Sequence, residues 1–232
     1  MNNIAIITAR GGSKRIPKKN IKNFCGKPII AYSIEAALNS GLFDEVMVST
    51  DDEEIATIAK AYGAKVPFLR SGKNSDDYVG TDEVVKEVLV NYQKQDICFD
   101  YVCCIYPTAP FITGETLVNA YNSLIKSSAE ALVPVVRFSY PPQRAFLIKN
   151  DKLEYQNNEN ISKRSQDLEE LFHDVGQFYF WQEKYFWDNI NQLPLNTIPY
   201  LLTELGIQDI DTTDDWKMAE LKYRLLKGEG GL

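Results

Sequence analysis

Two short stretches carry residue types that can do chemistry. The first is Thr8-Ala-Arg-Gly-Gly-Ser-Lys-Arg-Ile-Pro-Lys-Lys-Asn20, which follows directly on the apolar run Ile4 to Thr8. Paired glycines let backbone N–H groups approach a phosphate closely, and Ser13 adds a hydroxyl donor. Arg10, Lys14 and Lys19 supply positive charge suited to a triphosphate. The GxxxxGK[ST] and GxGxxG spacings are both absent, so this is neither of the two common phosphate loops. The second stretch is Asp209-Ile-Asp211. In an extended chain residues i and i+2 share a face, so both carboxylates can converge. Converging carboxylates repel unless a cation sits between them, and hard oxygen ligands suit Mg²⁺. The same pair reads equally well as a surface acidic turn into a helix, with Thr213 or Asp214 as its cap.

The rest of the chain must position these groups. Its 232 residues, 44% of them hydrophobic, suffice for one sizeable core or a core with a small appended lobe. Net charge is −7, which argues against a general nucleic-acid binder. Residues 1–34 nevertheless hold no acid and carry Arg10, Lys14, Arg15, Lys18, Lys19, Lys22 and Lys27, a concentration that points to an anion. No stretch has the length of a membrane span or the form of a targeting signal. The cysteines are Cys25, Cys98, Cys103 and Cys104, with no CxxC pair, and His173 is the only histidine. Zinc is therefore not expected, Cys103 and Cys104 read as buried free thiols, and the expected location is the reducing cytoplasm.

Strand and helix patterns alternate. Strands are expected at Ile4–Thr8, Glu45–Thr50, Asp100–Tyr106 and Ala131–Val136. Helices are expected from Pro28 to Gly41, from an Asp51 cap to Gly63, from Thr81, and over Thr113–Ser127. The pattern loosens from Arg137 to Asn160, which suggests an arm or lobe. It resumes with strands at Phe178–Trp181 and Ile207–Asp211 and a helix over Thr213–Leu226. The tail from Gly228 is expected to fray. The fold class is α/β, three layers around a mostly parallel sheet. The chain forms a single domain over 1–232, with an inserted arm at 137–175. The aromatics from Phe178 to Trp187 read as core or subunit interface.

The first stretch also resembles the signature of the acylneuraminate cytidylyltransferases, the CMP-sialic acid synthetase family, approximately PARxGSKRxPxKN with Thr8 in place of proline. The resemblance continues through Ser49-Thr-Asp-Asp52, Phe68-Leu-Arg70 and Pro107-Thr-Ala-Pro110 and covers nearly the whole chain. It implies a Rossmann-like fold of the nucleotide-diphospho-sugar transferase type and a homodimer made through the arm. CTP is the implied co-substrate, with its phosphates and cytidine held by Arg10, Lys14, Lys19 and Asn20. Asp209 and Asp211 are the implied Mg²⁺ ligands. Thr81, followed by Asp82, reads as a helix cap, and the resemblance implies that its hydroxyl also touches the nucleotide. Arg70 is implied in cytosine or ribose recognition, although Ser71 stands where the family has proline.

For the acidic sugar, the resemblance directs attention to Tyr106, Thr108, Gln143, Arg144, Arg164, Asp174 and Gln177. Tyr106 replaces the glutamine of the sialic-acid enzymes, and Asp174 and Gln177 depart from their NGAIY-like sequence. These departures resemble the pseudaminic acid branch, and a pocket for an additional amide needs additional polar partners. Arg144 could pair with the sugar carboxylate by charge. Lobe packing is the alternative for Gln143, Arg144 and Tyr179, and His173 is assigned no catalysis. Rival readings are the same reaction on N-acetylneuraminate or 3-deoxy-manno-octulosonate, a DxD glycosyltransferase, and a non-catalytic nucleotide-binding module. No nucleic-acid or membrane partner is expected.

Overall fold

The structure is a computed structural model, and it describes residues 1–76 and 78–228. Asp77 and the glycine-rich end of the chain past Gly228, for which fraying is expected, lie outside the described residues. The chain opens with strand β1 (Asn3–Thr8), a small hairpin of β2 (Asn23–Phe24) and β3 (Lys27–Pro28), helix α1 (Ile29–Ser40) and strand β4 (Glu45–Ser49). Helices α2 (Glu53–Ala61) and α3 (Thr81–Gln93), strand β5 (Tyr101–Ile105), helix α4 (Gly114–Ser127) and strand β6 (Ala131–Arg137) follow. Strands β7 (Phe146–Lys149), β8 (Lys152–Tyr155), β9 (Phe172–Asp174) and β10 (Phe178–Gln182) come next. Helix α5 (Glu183–Phe186), strand β11 (Thr197–Leu201) and helix α6 (Thr213–Leu226) complete the chain.

Among the described residues the main sheet runs β11-β6-β10-β5-β1-β4, with β9 paired to β6. β1 pairs in parallel with β4 and β5, and β11 with β6, whereas β10 is antiparallel to both β5 and β6. The sheet is therefore mostly parallel, with β10 inserted antiparallel between β5 and β6 and β9 also antiparallel to β6. Burial of both faces explains the continuous apolar runs in the strands. Ala5 and Ile7 of β1 face one cluster with α1, α2 and α4, while Ile4 and Ile6 face a second with α3 and α5. That is the three-layer arrangement. Cys103 and Cys104 are buried and free, and burial pushes the Cys104 pKa up to about 12.

Local rules set most element ends. Gly41 closes α1 in the left-handed region (φ 63°), with its N–H on Leu38 O. Three expected caps differ from those observed. Asp52, not Asp51, caps α2 by accepting from Glu54 and Ile55 N–H. Gly80, not Thr81, caps α3. Thr212, rather than Thr213 or Asp214, caps α6, in a reciprocal capping box with Asp215. The strand expected over Ile207–Asp211 does not form: these residues run irregularly from a 3₁₀ turn at Glu204–Gly206 into α6. The strand in this region is β11, at the sheet edge, where Pro199 is tolerated because no ladder bond is required of it.

Between β6 and β9 the chain leaves the sheet. The β7–β8 hairpin turns at Asn150-Asp151, both with positive φ, as a two-residue hairpin of this hand requires. Residues 146–154 of this hairpin are exposed throughout.

Candidate active site

A cavity of about 300 Å³ opens beyond the carboxyl ends of β1 and β5. The strand order reverses there, with β4 on one side of β1 and β5 on the other, the usual place for a ligand in such sheets. Arg10, Ser13, Lys14, Lys19 and Asn20 line one wall, Arg70 and Thr81 another, and Tyr106, Thr108 and Asp211 complete it.

The basic loop is held from within. Asn20 is almost fully buried, and its amide nitrogen donates to Arg10 O at 2.9 Å. Ile16, 1% exposed, anchors the loop in a third apolar cluster with Phe24, Tyr32, Ile210 and Trp216. Lys18 takes the left-handed conformation and turns the chain so that Lys19 starts a short 3₁₀ turn. Gly11 is required by packing, because a Cβ there would lie 2.7 Å from Asp52 Oδ2 and 2.9 Å from Asp52 Cβ. Its N–H donates to Asp51 Oδ1 at 2.9 Å, so this amide already has an acceptor. A Cβ on Gly12 would meet nothing within 4 Å.

Arg70 is 8% exposed and donates from Nε to Ser49 Oγ (3.1 Å) and from Nη2 to Ser49 O (2.6 Å). Burial pulls its pKa down from the usual arginine value, opposed by the charges of Asp51 and Glu87. Glu87 in turn accepts from Ser71 N and Asn74 Nδ2, both at 3.0 Å, and so fixes the turn after Arg70. Thr81, relieved of capping, bonds the Tyr106 hydroxyl at 3.1 Å. The Tyr106 ring packs edge-on against Tyr179 at 5.7 Å, and the Tyr179 hydroxyl donates to the Asp174 carboxylate at 2.7–2.8 Å. Gly176 N–H adds a further bond to Asp174 Oδ1 at 2.7 Å. Burial, before any other cause, raises the pKa of both tyrosines, so their hydroxyls stay protonated.

Asp211 faces two cations. Arg15 Nη2 lies 2.7 Å and Lys19 Nζ 3.5 Å from Asp211 Oδ1, and Lys19 also donates to Ile210 O at 2.7 Å. Asp209 does not line the cavity. Its pKa is raised by burial and then by the Asp211 charge. Two carboxylates two residues apart offer the hard oxygen donors that a divalent cation takes. No group of three or more His, Cys, Asp or Glu among the described residues could hold one alone. A Mg²⁺ ion bound through one or two carboxylates, with phosphate oxygens and water completing its shell, suits such a pair.

Several residues expected at the site are not in the cavity. Gln143 donates to Glu169 O, Arg144 to Ser165 Oγ at 3.5 Å, and Arg164 pairs with Asp167 at 2.7 Å, all on the arm. Gln177 is buried, with its side-chain amide on Gly206 O at 3.4 Å. Asp174 engages Tyr179 and Gly176 rather than the open cavity. The His173 ring lies tilted against Phe138 at 4.7 Å, with Nδ1 2.9 Å from Asp174 O. Sequence reasoning gave no site role to Arg15 or Glu87, and named Tyr179 with lobe packing as its alternative. For Arg15 the signal was its place beside Lys14 in the basic loop. For the other two only packing reveals the contact.

A family model described as cytidylyltransferase matches residues 4–219. The chain is similar to a pseudaminic acid cytidylyltransferase of Campylobacter jejuni, with 44% identity over 226 residues covering 97% of each chain. It is also similar to a CMP-N,N'-diacetyllegionaminic acid synthase of Legionella pneumophila, 35% identical over 95% of each. Among solved structures it resembles a CMP:2-keto-3-deoxy-manno-octonic acid synthetase complexed with CTP, at TM-score 0.71 and 18% identity, covering 99% of this chain and 100% of that one. At that identity the likeness is one of fold.

Proposed function

This chain belongs to the cytidylyltransferase family, and from that premise we propose that it transfers CMP from CTP to the anomeric hydroxyl of a nine-carbon 2-keto acidic sugar, pseudaminic acid foremost, releasing pyrophosphate. The observation that carries this reading is the cavity itself: a cationic loop on one wall, a carboxylate at its rim, and a tyrosine–threonine pair on the opposite side. Family membership sets aside the glycosyltransferase and the non-catalytic module.

In this mechanism the sugar hydroxyl attacks the α-phosphorus of CTP, and the bond to the bridging oxygen breaks as pyrophosphate leaves in line. Arg10, Lys14 and Lys19 neutralise charge as it builds on the pyrophosphate, without reorganising at the moment of reaction. Arg70 and Asn20 hold the nucleotide, with Ser13 and the Gly12 backbone supplying donors to the phosphates, the Gly11 N–H being taken by Asp51. Mg²⁺ held by Asp209 and Asp211 would supply a Lewis acid at the α-phosphate. Tyr106 and Thr108 face the sugar. Asp174 acts by holding Tyr179 against Tyr106, which supports the pseudaminic reading because both hydroxyls are directionally fixed. The test is pyrophosphate release from CTP and Mg²⁺ with pseudaminic acid and N-acetylneuraminic acid in parallel. Release at least about tenfold faster with pseudaminic acid is expected, from the discrimination that polar partners supply. Preference for N-acetylneuraminic acid would keep the chemistry and overturn the sugar, and release with neither would overturn the reading.

The arm supports a homodimer. An isolated two-stranded hairpin is marginal in water, yet Ile148 is 77% and Leu153 67% exposed along it, and Tyr140 at the start of the arm is 86% exposed. Ile148→Lys is expected to convert the dimer to monomer in sedimentation, and an unchanged sedimentation coefficient would count against the arm as the interface. No helix among the described residues is long and apolar enough to cross a membrane. The buried thiols of Cys103 and Cys104 suit the reducing cytoplasm we propose.

A further inference from the structure

The segment that carries Asp209 and Asp211 belongs to no strand or helix, yet metal binding demands that both carboxylates be held in place. Beyond the bonds that Lys19 and Arg15 make to Ile210 O and Asp211, three contacts hold it. Ile210, 1% exposed, is buried against Trp216 and Ala219 of α6 in the third apolar cluster. The Asp215 carboxylate takes the N–H groups of Asp211 (3.1 Å) and Thr212 (2.7 Å), which is the N-terminal capping arrangement of α6 itself. The third contact serves no cap. Lys222, well inside α6, reaches back across the fold and donates from Nζ to Glu204 O at 3.0 Å and to Ile207 O at 2.9 Å. Gln177 adds a longer bond to Gly206 O between them, at 3.4 Å.

We propose that Lys222 is a positioning residue for the metal-binding carboxylates: its ammonium gathers the carbonyls on either side of the Glu204–Gly206 turn and sets the path on which Asp209 and Asp211 are presented. The alternative occupant of such a position, a lysine stem packed along a helix with its head in water, would leave the ammonium solvated. Here the ammonium is drawn down onto two main-chain oxygens, and burial correspondingly lowers its pKa despite the nearby Glu204 charge. Apart from the Gln177 bond to Gly206 O and a bond from the Ser139 hydroxyl to the Glu204 carboxylate, the turn has little else to fix it. Leu202 N–H is bonded to Val135 O at the end of β11, and from there to Thr212 the described main-chain bonds are the single 3₁₀ closure of Gly206 on Thr203. Ordering through the two carbonyls therefore falls on Lys222, with Ile210 as the downstream anchor. Loss of the clamp leaves the apolar anchor in place and so loosens the segment without unfolding α6.

This inference rests on Asp209 and Asp211 binding the metal, and its test separates the two. Mn²⁺ binding in the presence of CTP is followed by electron paramagnetic resonance for the wild type, Lys222→Met, Lys222→Gln and Lys222→Arg, with metal-free CTP binding measured by calorimetry. Loss of an outer contact to a metal site typically costs 10–100-fold in metal affinity, so Lys222→Met is expected to weaken Mn²⁺ binding about tenfold. Metal-free CTP affinity is expected to stay within about twofold, and Lys222→Arg, which can still donate twice, to recover most of the loss. Mn²⁺ affinity unchanged in Lys222→Met overturns the proposal, as does an equal fall in metal-free CTP affinity, which marks a general structural role. Should Lys222→Met fail to fold, Lys222→Gln is judged by the same two measurements. Absence of Mn²⁺ binding in the wild type overturns the metal assignment itself, and the proposal with it.

Discussion

Asp211→Asn is expected to lower kcat about 10³-fold while CTP affinity in the absence of metal stays within about threefold, since Lewis-acid stabilisation of a phosphoryl transition state is worth several kcal/mol and each 1.36 kcal/mol is tenfold. The substitution removes one charge and almost no volume. The folded protein tolerates it, because the Arg15–Asp211 pair is solvent-accessible on both sides and such pairs contribute about 0–1 kcal/mol. The amide that results is a poorer ligand for a hard cation and leaves Asp209 with less reason to share one. Single-turnover formation of the CMP-sugar, read beside calorimetric CTP binding, is the measurement. Turnover within tenfold of wild type would remove Asp211 from the metal site, and loss of CTP binding in parallel with turnover would make it a nucleotide contact.

The second large effect is expected at Lys19. Its side chain is mostly buried, and its ammonium bridges the two halves of the site through Ile210 O and Asp211. Lys19→Met keeps the hydrocarbon stem and removes the charge. Removing one preorganised donor from a developing oxyanion costs about 10²–10³ in rate, so kcat/KM for CTP is expected to fall by that factor, most of it in kcat. Lys19→Arg is expected to recover about a tenth of the activity or more, since charge survives but the geometry of a compact ammonium does not. Steady-state kinetics on both variants decide it. A change confined to KM would make Lys19 a ground-state anchor for CTP rather than a stabiliser of the leaving pyrophosphate.

Arg15 would be expected, by its position beside Lys14, to join the phosphate contacts. The structure instead sets it on Asp211 at 2.7 Å, across a separation of 196 residues. That contact exists because Ile16 and Ile210 are buried in one apolar cluster, which draws the basic loop and the acidic segment together. The packing of two isoleucines thus decides an electrostatic arrangement that charge spacing along the chain leaves open. Thr81 offers the opposite case. It reads as a helix cap, and Gly80 takes that role because its extended conformation suits the position, freeing the hydroxyl for Tyr106.

What the amino-acid sequence determined by itself is what short-range physics controls. The apolar runs of β1, β4, β5 and β6, the helix periodicities, the glycine that ends α1 and the loop of cations after β1 each depend on neighbours within about ten residues, and each was legible. The two aspartates stand two apart in the sequence, but the strand from which their shared face was read does not form and Asp211 alone of the two lines the cavity; the family resemblance followed from the motifs themselves. The tertiary structure alone decided the insertion of β10 antiparallel between β5 and β6, the lack of a strand at Ile207–Asp211, the chain Thr81–Tyr106–Tyr179–Asp174, and the retention of Gln143, Arg144 and Arg164 on the arm. Strand direction, and the pairing of side chains far apart in sequence, are fixed by which surfaces bury together. Burial free energy is a property of the assembled core and has no local signature to read.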